Sequence, residues 1–254
     1  MSIKLPKITI VTIVYNGEKY IRETILSIIN QGYENLEYII IDGGSTDNTL
    51  NIIDEFKSKI NVIISEKDSG ISDAFNKGLS HATGDLIGFL NADDFYIDHN
   101  VIGEVVAKMK EEKAESLYAD LYYVAAEDTN KVIRNWVSGK YNRQKFLYGW
   151  MPPHPTFFVK RSAYQKFGKF NLSLKSAADY ELMLRFLFKN KLSTCYLPRP
   201  LVRMRVGGMS NVSLRNRIKA NKEDRMAWEM NGLKPKSFTL LVKPLRKLIQ
   251  YVKR

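Results

Sequence analysis

The hydrophobic positions of the first hundred residues alternate between two textures. Unbroken apolar runs stand at 8–14 (I-T-I-V-T-I-V), 38–41 (Y-I-I-I), 61–65 (N-V-I-I-S) and 86–90 (L-I-G-F-L). Between them apolar residues recur at helical spacing: Ile21, Ile25, Ile28 and Ile29, then Leu50, Ile53 and Phe56 behind Ser45 or Thr46 as N-cap, then a helix across 72–81. Strands without polar alternation are covered on both faces, so the pattern predicts an α/β fold with a mostly parallel, Rossmann-like central sheet flanked by helices. After Asp94 the rhythm weakens. A helix at 98–112 precedes an antiparallel pair, E-S-L-Y-A-D-L-Y-Y-V and K-V-I-R-N-W-V. The loop M-P-P-H-P (151–155), a strand T-F-F-V, a short helix and the segment 176–188 follow. No internal repeat or low-complexity tract interrupts the chain.

Charge divides this pattern further. Residues 1–100 hold 8 basic and 15 acidic side chains, residues 101–214 hold 19 and 9, and residues 215–254 hold 12 and 3, giving −7, +10 and +9. The division separates an acidic βα half (1–100), a basic second half of the same domain (101–214) and a basic helical tail (215–254). An acidic front suits a metal, and a basic back suits phosphate, nucleic acid or an anionic membrane surface. The lone Cys195 excludes an internal disulfide and a thiolate metal cluster, which fits a reducing cytoplasm. The apolar run at 8–14 passes straight into Y-N-G-E-K and reads as a first strand, not as a secretory leader or a membrane span.

In a parallel sheet ligands bind beyond the carboxyl ends of the strands. Thr12–Asn16, Asp42–Ser45, Ser65–Asp68 and Asn91–Asp94 therefore crowd one rim. Its four carboxylates, Asp42, Asp68, Asp93 and Asp94, repel one another unless a cation or hydrogen-bond donors lie between them. Asn91–Asp94 alone reads equally as a turn or helix cap. At a strand end it also offers the hard oxygen ligands that Mg²⁺ or Mn²⁺ takes alongside phosphate. No G-x-G-x-x-G follows the first strand and no G-x-x-x-x-G-K-[ST] occurs, which disfavours dehydrogenases and P-loop ATPases. Lys77 is a candidate phosphate contact or a solvated helix lysine.

Four blocks in order, V-T-I-V-Y-N (11–16), I-I-I-D-G-G-S-T-D-N-T (39–49), D-S-G-I-S-D-A-F-N-K-G (68–78) and A-T-G-D-L-I-G-F-L-N-A-D-D (82–94), resemble the consecutive motifs of family 2 glycosyltransferases, with later motifs to about 210. The resemblance implies the GT-A fold and hexosyl transfer from a nucleotide-sugar donor, with 1–100 as the nucleotide-sugar-binding half and 101–214 as the acceptor-binding half. It places Thr12, Tyr15 and Asn16 in the nucleoside pocket and Asp42 on the base. It makes Asp93, the last position of the family's Asp-x-Asp motif, the metal ligand, assisted by Asp94. Asn91, Ala92, Asp73 and Lys77 fall in the donor-binding blocks. Two positions depart from the family: Asn91 stands where its first Asp often sits, and Phe75 where many members carry Arg.

Displacement of a nucleoside diphosphate needs a base for the acceptor hydroxyl, and direct attack inverts the anomeric carbon. The resemblance places the acceptor-side Asp at Asp179, which could otherwise cap a helix; Ser176 is the alternative cap and Glu181 the weaker base. His154, on the proline-defined loop, is structural or, by resemblance, reaches diphosphate, metal or acceptor. Arg203, Arg205 and the turn 207–210 resemble the family's closing loop or form an ordinary basic loop.

In the tail, Leu245, Leu248, Ile249 and Val252 share a helical face beside Arg246, Lys247, Lys253 and Arg254. Residues 238–254 thus dock on the protein's own surface or on an anionic membrane; they carry no nucleic-acid module. The reading is a cytoplasmic enzyme, peripheral on the inner membrane face if the tail binds lipid. It moves a sugar, UDP-linked by first expectation, to a saccharide or lipid-diphosphate-linked acceptor in surface polysaccharide or glycolipid assembly. The alternatives are a catalytically impaired sugar-nucleotide-binding or scaffold protein, and a nucleotidyltransferase, which lacks its phosphate loop here.

Overall fold

The computed structural model describes residues 5–207 and 214–243. β1 (Ile8–Val14), β2 (Leu36–Asp42), β3 (Val62–Ser65) and β4 (Leu86–Phe89) run parallel, with β2 and β4 flanking β1 and β3 beyond β2. Past β4 the sheet becomes mixed. β8 (Phe158–Lys160) pairs antiparallel to both β4 and β6 (Ser116–Val124), β9 (Thr194–Arg205) lies parallel to β6, and β5 (Asp94–Tyr96) runs antiparallel to β9. β7 (Val132–Trp136) forms the expected antiparallel pair with β6. The full order is β3-β2-β1-β4-β8-β6-β9-β5.

Alternate residues of the central strands feed two apolar layers. Ile8, Ile10 and Val14 of β1 pack with α1 (Ile21–Ile29), α2 (Thr49–Asp54) and α4 (Val101–Glu111). Val11, Ile39, Ile41, Ile87 and Phe89 face α3 (Ile71–His81), α5 (Arg161–Phe167), α6 (Ala178–Met183) and α7 (Leu214–Met230). Each fully buried Ile, Leu or Phe contributes about 1.5–3 kcal/mol, so the sheet is held from both faces. α6 continues directly into a π-helical run, Leu184–Lys189.

Two elements differ from expectation. α2 starts at Thr49, not behind Ser45 or Thr46, because Asp47 accepts from the Thr49 N–H (3.1 Å) and Oγ1 (2.5 Å) while Ser45 and Thr46 bond elsewhere. β9 incorporates Pro198 and Pro200, residues that discourage a strand assignment. Register shifts opposite Ala119, Asp120 and Leu121 accommodate them. Arg203 and Arg205 consequently lie on a strand and not in a closing loop. The predicted helix at 245–252 and most of the 207–210 turn fall outside the described residues. No described helix is long and apolar enough to cross a membrane.

Candidate active site

The carboxyl ends of β1, β2 and β3 are in register, Val14 beside Asp42 beside Ser65. Asp42 is fully buried and its carboxylate is already engaged. It accepts from the Gly44 N–H (3.1 Å), the Ser45 N–H (3.0 Å), Ser45 Oγ (2.5 Å) and Ser65 Oγ (2.6 Å). Asp42 therefore ties the rim loops together and presents no free oxygen for a base. Asn16, left-handed at φ 50°, works beside it: its N–H donates to Ser45 Oγ (2.8 Å) and its Oδ1 accepts from the Thr46 N–H (2.9 Å). Thr12 lies further in. It is fully buried between sheet and helices and accepts from the Tyr38 hydroxyl (3.2 Å). Tyr15, by contrast, is 65% exposed.

Gly43 creates room at the same place. A Cβ there would stand 2.5 Å from Asp68 Oδ2, so the glycine lets the partly exposed Asp68 carboxylate lie over the β2 end. Its Oδ1 accepts from the Gly70 N–H (2.8 Å).

On α3 the expected phosphate contacts are bound locally. Lys77 Nζ pairs with Glu66 (2.8 Å) and donates to the Lys67 carbonyl (2.9 Å), and the Glu66 bond holds its ammonium above the usual lysine range. Asp73 accepts from the Ser69 N–H (2.9 Å) and bears a charge that repels phosphate. Phe75 points inward, stacked 4.9 Å from Phe170 and edge-on 4.8 Å from Phe89.

The Asn91–Asp94 turn separates its two carboxylates. Asp93 stays partly exposed, whereas Asp94, at the start of β5, is fully buried and neither of its oxygens is hydrogen-bonded. The Asn91 side chain and the Arg205 backbone amide approach Asp94 without completing a hydrogen bond. Burial and the Asp93 charge push its carboxyl well above the ordinary range. Asp94 thus does not share an open surface with Asp93 and is not disposed as a second ligand. Burial also raises Asp93, against its own backbone amide and the Arg205 charge. The turn is held from two sides: Thr24 Oγ1 lies 2.8 Å from the Ala92 carbonyl and 2.7 Å from that of Asp94, and Arg205 donates to the Asp93 carbonyl (2.6 Å). Arg205 is itself buried, ion-paired with Glu23 and packed over the Tyr20 and Phe95 rings.

Among the described residues no three His, Cys, Asp or Glu side chains converge on one point. An all-protein metal cage is therefore lacking there. A single accessible carboxylate at a strand end fits a Mg²⁺ or Mn²⁺ ion that takes its remaining ligands from a diphosphate and water.

Asp179 occupies the first turn of α6, where its Oδ1 accepts the Tyr180 N–H (2.7 Å). It is not the cap. Glu223 of α7 anchors the loop that leads into this helix, its Oε2 accepting from the N–H groups of Lys175 (3.1 Å), Ser176 (2.6 Å) and Ala177 (3.1 Å) and from Ser176 Oγ (2.8 Å). Burial raises the Glu223 carboxyl, but these donors outweigh it and hold it below the ordinary range. Glu181 is committed elsewhere, paired with Arg185 (2.9 Å) and accepting from Asn231 (2.9 Å). His154 sits among Phe75, Phe89 and Phe170 at ring-centroid distances of 5.2, 5.4 and 5.6 Å. Burial lowers its imidazole below the usual range, against the nearby Asp179 charge.

Nothing in the sequence singled out Glu223, because K-E-D-R at 222–225 reads as a solvated charge run. Arg205 was visible as part of a segment resembling the family's closing loop or an ordinary basic loop.

Known proteins share part of the sequence and the fold. The chain is 30% identical over 190 residues to the PGL/p-HBAD biosynthesis glycosyltransferase of Mycobacterium tuberculosis, covering 73% of this chain and 72% of that one. An uncharacterized glycosyltransferase of Haemophilus influenzae is 44% identical over 95 residues, and that match spans 38% of the relative's length. Crystallised S. aureus TarS 1–349 superposes with a TM-score of 0.70 at 19% identity, covering 94% of this chain and 71% of that one; the same fragment has been crystallised with UDP-GlcNAc. The mannosyltransferase PcManGT of Pyrobaculum calidifontis, solved with GDP-Man and Mn²⁺, superposes at 0.68 with 18% identity, covering 94% and 69%. The fold is thus of the GT-A type. Residues 9–168 match the sequence profile of glycosyl transferase family 2, and the chain belongs to that family.

Proposed function

We propose that this glycosyltransferase moves a sugar from a nucleotide-diphosphate donor, a UDP-sugar by first choice, to a hydroxyl of a saccharide or lipid-linked acceptor, with inversion, in surface polysaccharide or glycolipid assembly. The observation that carries the reading is the partly exposed Asp179 carboxylate in the first turn of α6, close enough for its charge to act on the His154 imidazole. A carboxylate so placed removes the acceptor proton as the hydroxyl attacks. His154, its imidazole lowered by burial among the aromatic rings, helps to orient that hydroxyl. Tyr15 offers its exposed ring to the base, Asp68 offers the open carboxylate, and Asp42 and Asn16 set the shape of the pocket. Asp93 would hold Mn²⁺ or Mg²⁺, which when bound supplies positive charge for the departing diphosphate. Residues 238–254 are read as the contact with an anionic membrane.

Asp179→Asn keeps the size of the side chain and removes the base. Turnover should fall about 10²–10⁴-fold, while donor affinity measured by calorimetry changes little. Undiminished turnover would eliminate Asp179 as base. A wild-type protein that binds the donor but turns over no UDP-, GDP- or dTDP-sugar, with any of a panel of saccharide and lipid-linked acceptors, would favour the sugar-nucleotide-binding alternative.

A further inference from the structure

Residues 233–243 fold against the loop that leads to His154. Thr239 Oγ1 donates to the Leu147 carbonyl (2.6 Å), Asn221 donates to the Leu240 carbonyl (3.2 Å), and Leu240 is buried. Gly149, at φ 70°, lets Lys243 approach so closely that a Cβ would stand 2.5 Å from the Lys243 Cα. Lys243 then reaches Asp224 (2.5 Å) and covers the Tyr180 ring at 3.5 Å. Tyr180 adjoins Asp179, so this segment is fixed to the helix that carries the proposed base.

The outer side of the same segment is apolar. Tyr148 is 44%, Phe238 37% and Leu241 67% exposed. The first two rings lie 5.5 Å apart, and the Leu241 N–H donates to the Phe238 carbonyl, placing the two residues on one helical turn. Lys236 Nζ stands 5.1 and 5.6 Å from the Tyr148 and Phe238 rings, and Lys234 is exposed beside it. Neither lysine is ion-paired among the described residues. Scattered exposed apolar residues are ordinary, but three together beside cations are not. The sequence then runs on into Leu245, Leu248, Ile249 and Val252 interleaved with Arg246, Lys247, Lys253 and Arg254. Aromatic and aliphatic side chains flanked by lysines suit the boundary between anionic headgroups and acyl chains.

We infer that Tyr148, Phe238 and Leu241, flanked by Lys234 and Lys236, form an interfacial surface that seats the protein on an anionic phospholipid bilayer and turns the Asp179 side of the site toward an acceptor carried in that bilayer. The second half of this statement rests on the glycosyltransferase reading; the first does not.

The test is sedimentation of the full chain with phosphatidylcholine vesicles containing roughly one-third phosphatidylglycerol, and with phosphatidylcholine alone. Wild type should bind the anionic vesicles. Phe238→Ser with Leu241→Ser should weaken binding about tenfold for each side chain removed, with unchanged melting and unchanged donor turnover on a soluble acceptor. Lys234→Glu with Lys236→Glu, which removes no buried group, should weaken binding to anionic vesicles in a salt-dependent way. Apolar-patch variants that bind as wild type does would overturn the proposal. So would a wild type that ignores vesicles until residues 244–254 are removed, because the tail would then be what covers the patch. Vesicle binding without turnover on any acceptor would sink the glycosyltransferase reading and leave the surface standing; turnover without vesicle binding would do the reverse.

Discussion

Replacing Glu223 by Ala tests the link between the C-terminal helix and the proposed base. The side chain holds three backbone N–H groups and one hydroxyl on a single oxygen. A hydrogen bond to a charged acceptor is worth roughly 1.5–3 kcal/mol in isolation, and four sharing one atom do not add. The loss resembles a removed helix cap together with a stranded buried donor, about 3 kcal/mol. At this chain length that lowers the melting temperature by about 6–12 °C. Turnover should fall as well, because the first turn of α6 carries Asp179. Glu223→Gln keeps an acceptor oxygen and should cost about 1 kcal/mol. Because the native carboxyl is held below its ordinary value of 4.5, its contribution is present above that value and fades as the pH falls below it. The gap between wild type and the Gln variant should close accordingly in acid. Calorimetric melting from neutral to acid pH, with turnover on the same preparations, provides the measurement. An Ala variant that melts with wild type and retains its turnover would refute the reasoning.

Two other sites make equally direct predictions. At the opposite end of the sheet, Glu37 accepts from Lys7 (2.6 Å), Thr9 (2.5 Å) and Thr83 (2.5 and 2.8 Å). Burial raises its carboxyl, but these donors hold it at about 2, down from 4.5. Its stabilisation, about 2 kcal/mol once the exposure of Lys7 is allowed for, is complete above 4.5 and should vanish as the pH falls toward 2, so acid unfolding of Glu37→Gln should be flatter than that of wild type. Arg205→Met removes the charge that opposes the upward drift of Asp93 and the donor to its carbonyl. It should move the acid limb of the activity profile to higher pH and raise the Mn²⁺ concentration needed for half-maximal turnover; an unchanged profile would remove Arg205 from the site.

Much of the sheet was legible because β1 to β4 are apolar on both faces, and that texture admits few alternatives. Asp179 was legible as base through the family resemblance, with Ser176 available as an alternative cap; the structure places Asp179 in the first turn of α6. The rim's charge was open to two accounts, a cation or hydrogen-bond donors between the four carboxylates. Three of them follow the second or avoid their charge: Asp42 is satisfied by serines and backbone amides, Asp68 accepts from Gly70 above Gly43, and Asp94 is pushed toward its protonated form, which leaves Asp93 for a metal. Spacing along a chain shows which residues reach an edge; it does not show which of them turn inward. Thr12 and Asp94 are both fully buried because β1 and β5 are covered on both faces, so neither parity of residue reaches solvent. Lys77 and Asp73 found partners one turn away or in the preceding loop, a choice set by rotamers that no pattern reveals. β9 was concealed by two prolines that only a shifted register can absorb.

The position of that last strand bears on how the chain acquires its shape. β5 hydrogen-bonds to β9 across a sequence separation of about a hundred residues, and β9 in turn is seated on β6. Closing so large a loop is slow and entropically costly until distant contacts reward it. A chain emerging from the ribosome can assemble β1 to β4 early, but the Asp93 turn has no second wall until residue 205 arrives. A fragment cut after residue 100 should accordingly retain helices and strands while binding nucleotide poorly, and the late-arriving strand, not the apolar nucleus, should set the pace at which donor affinity develops during refolding.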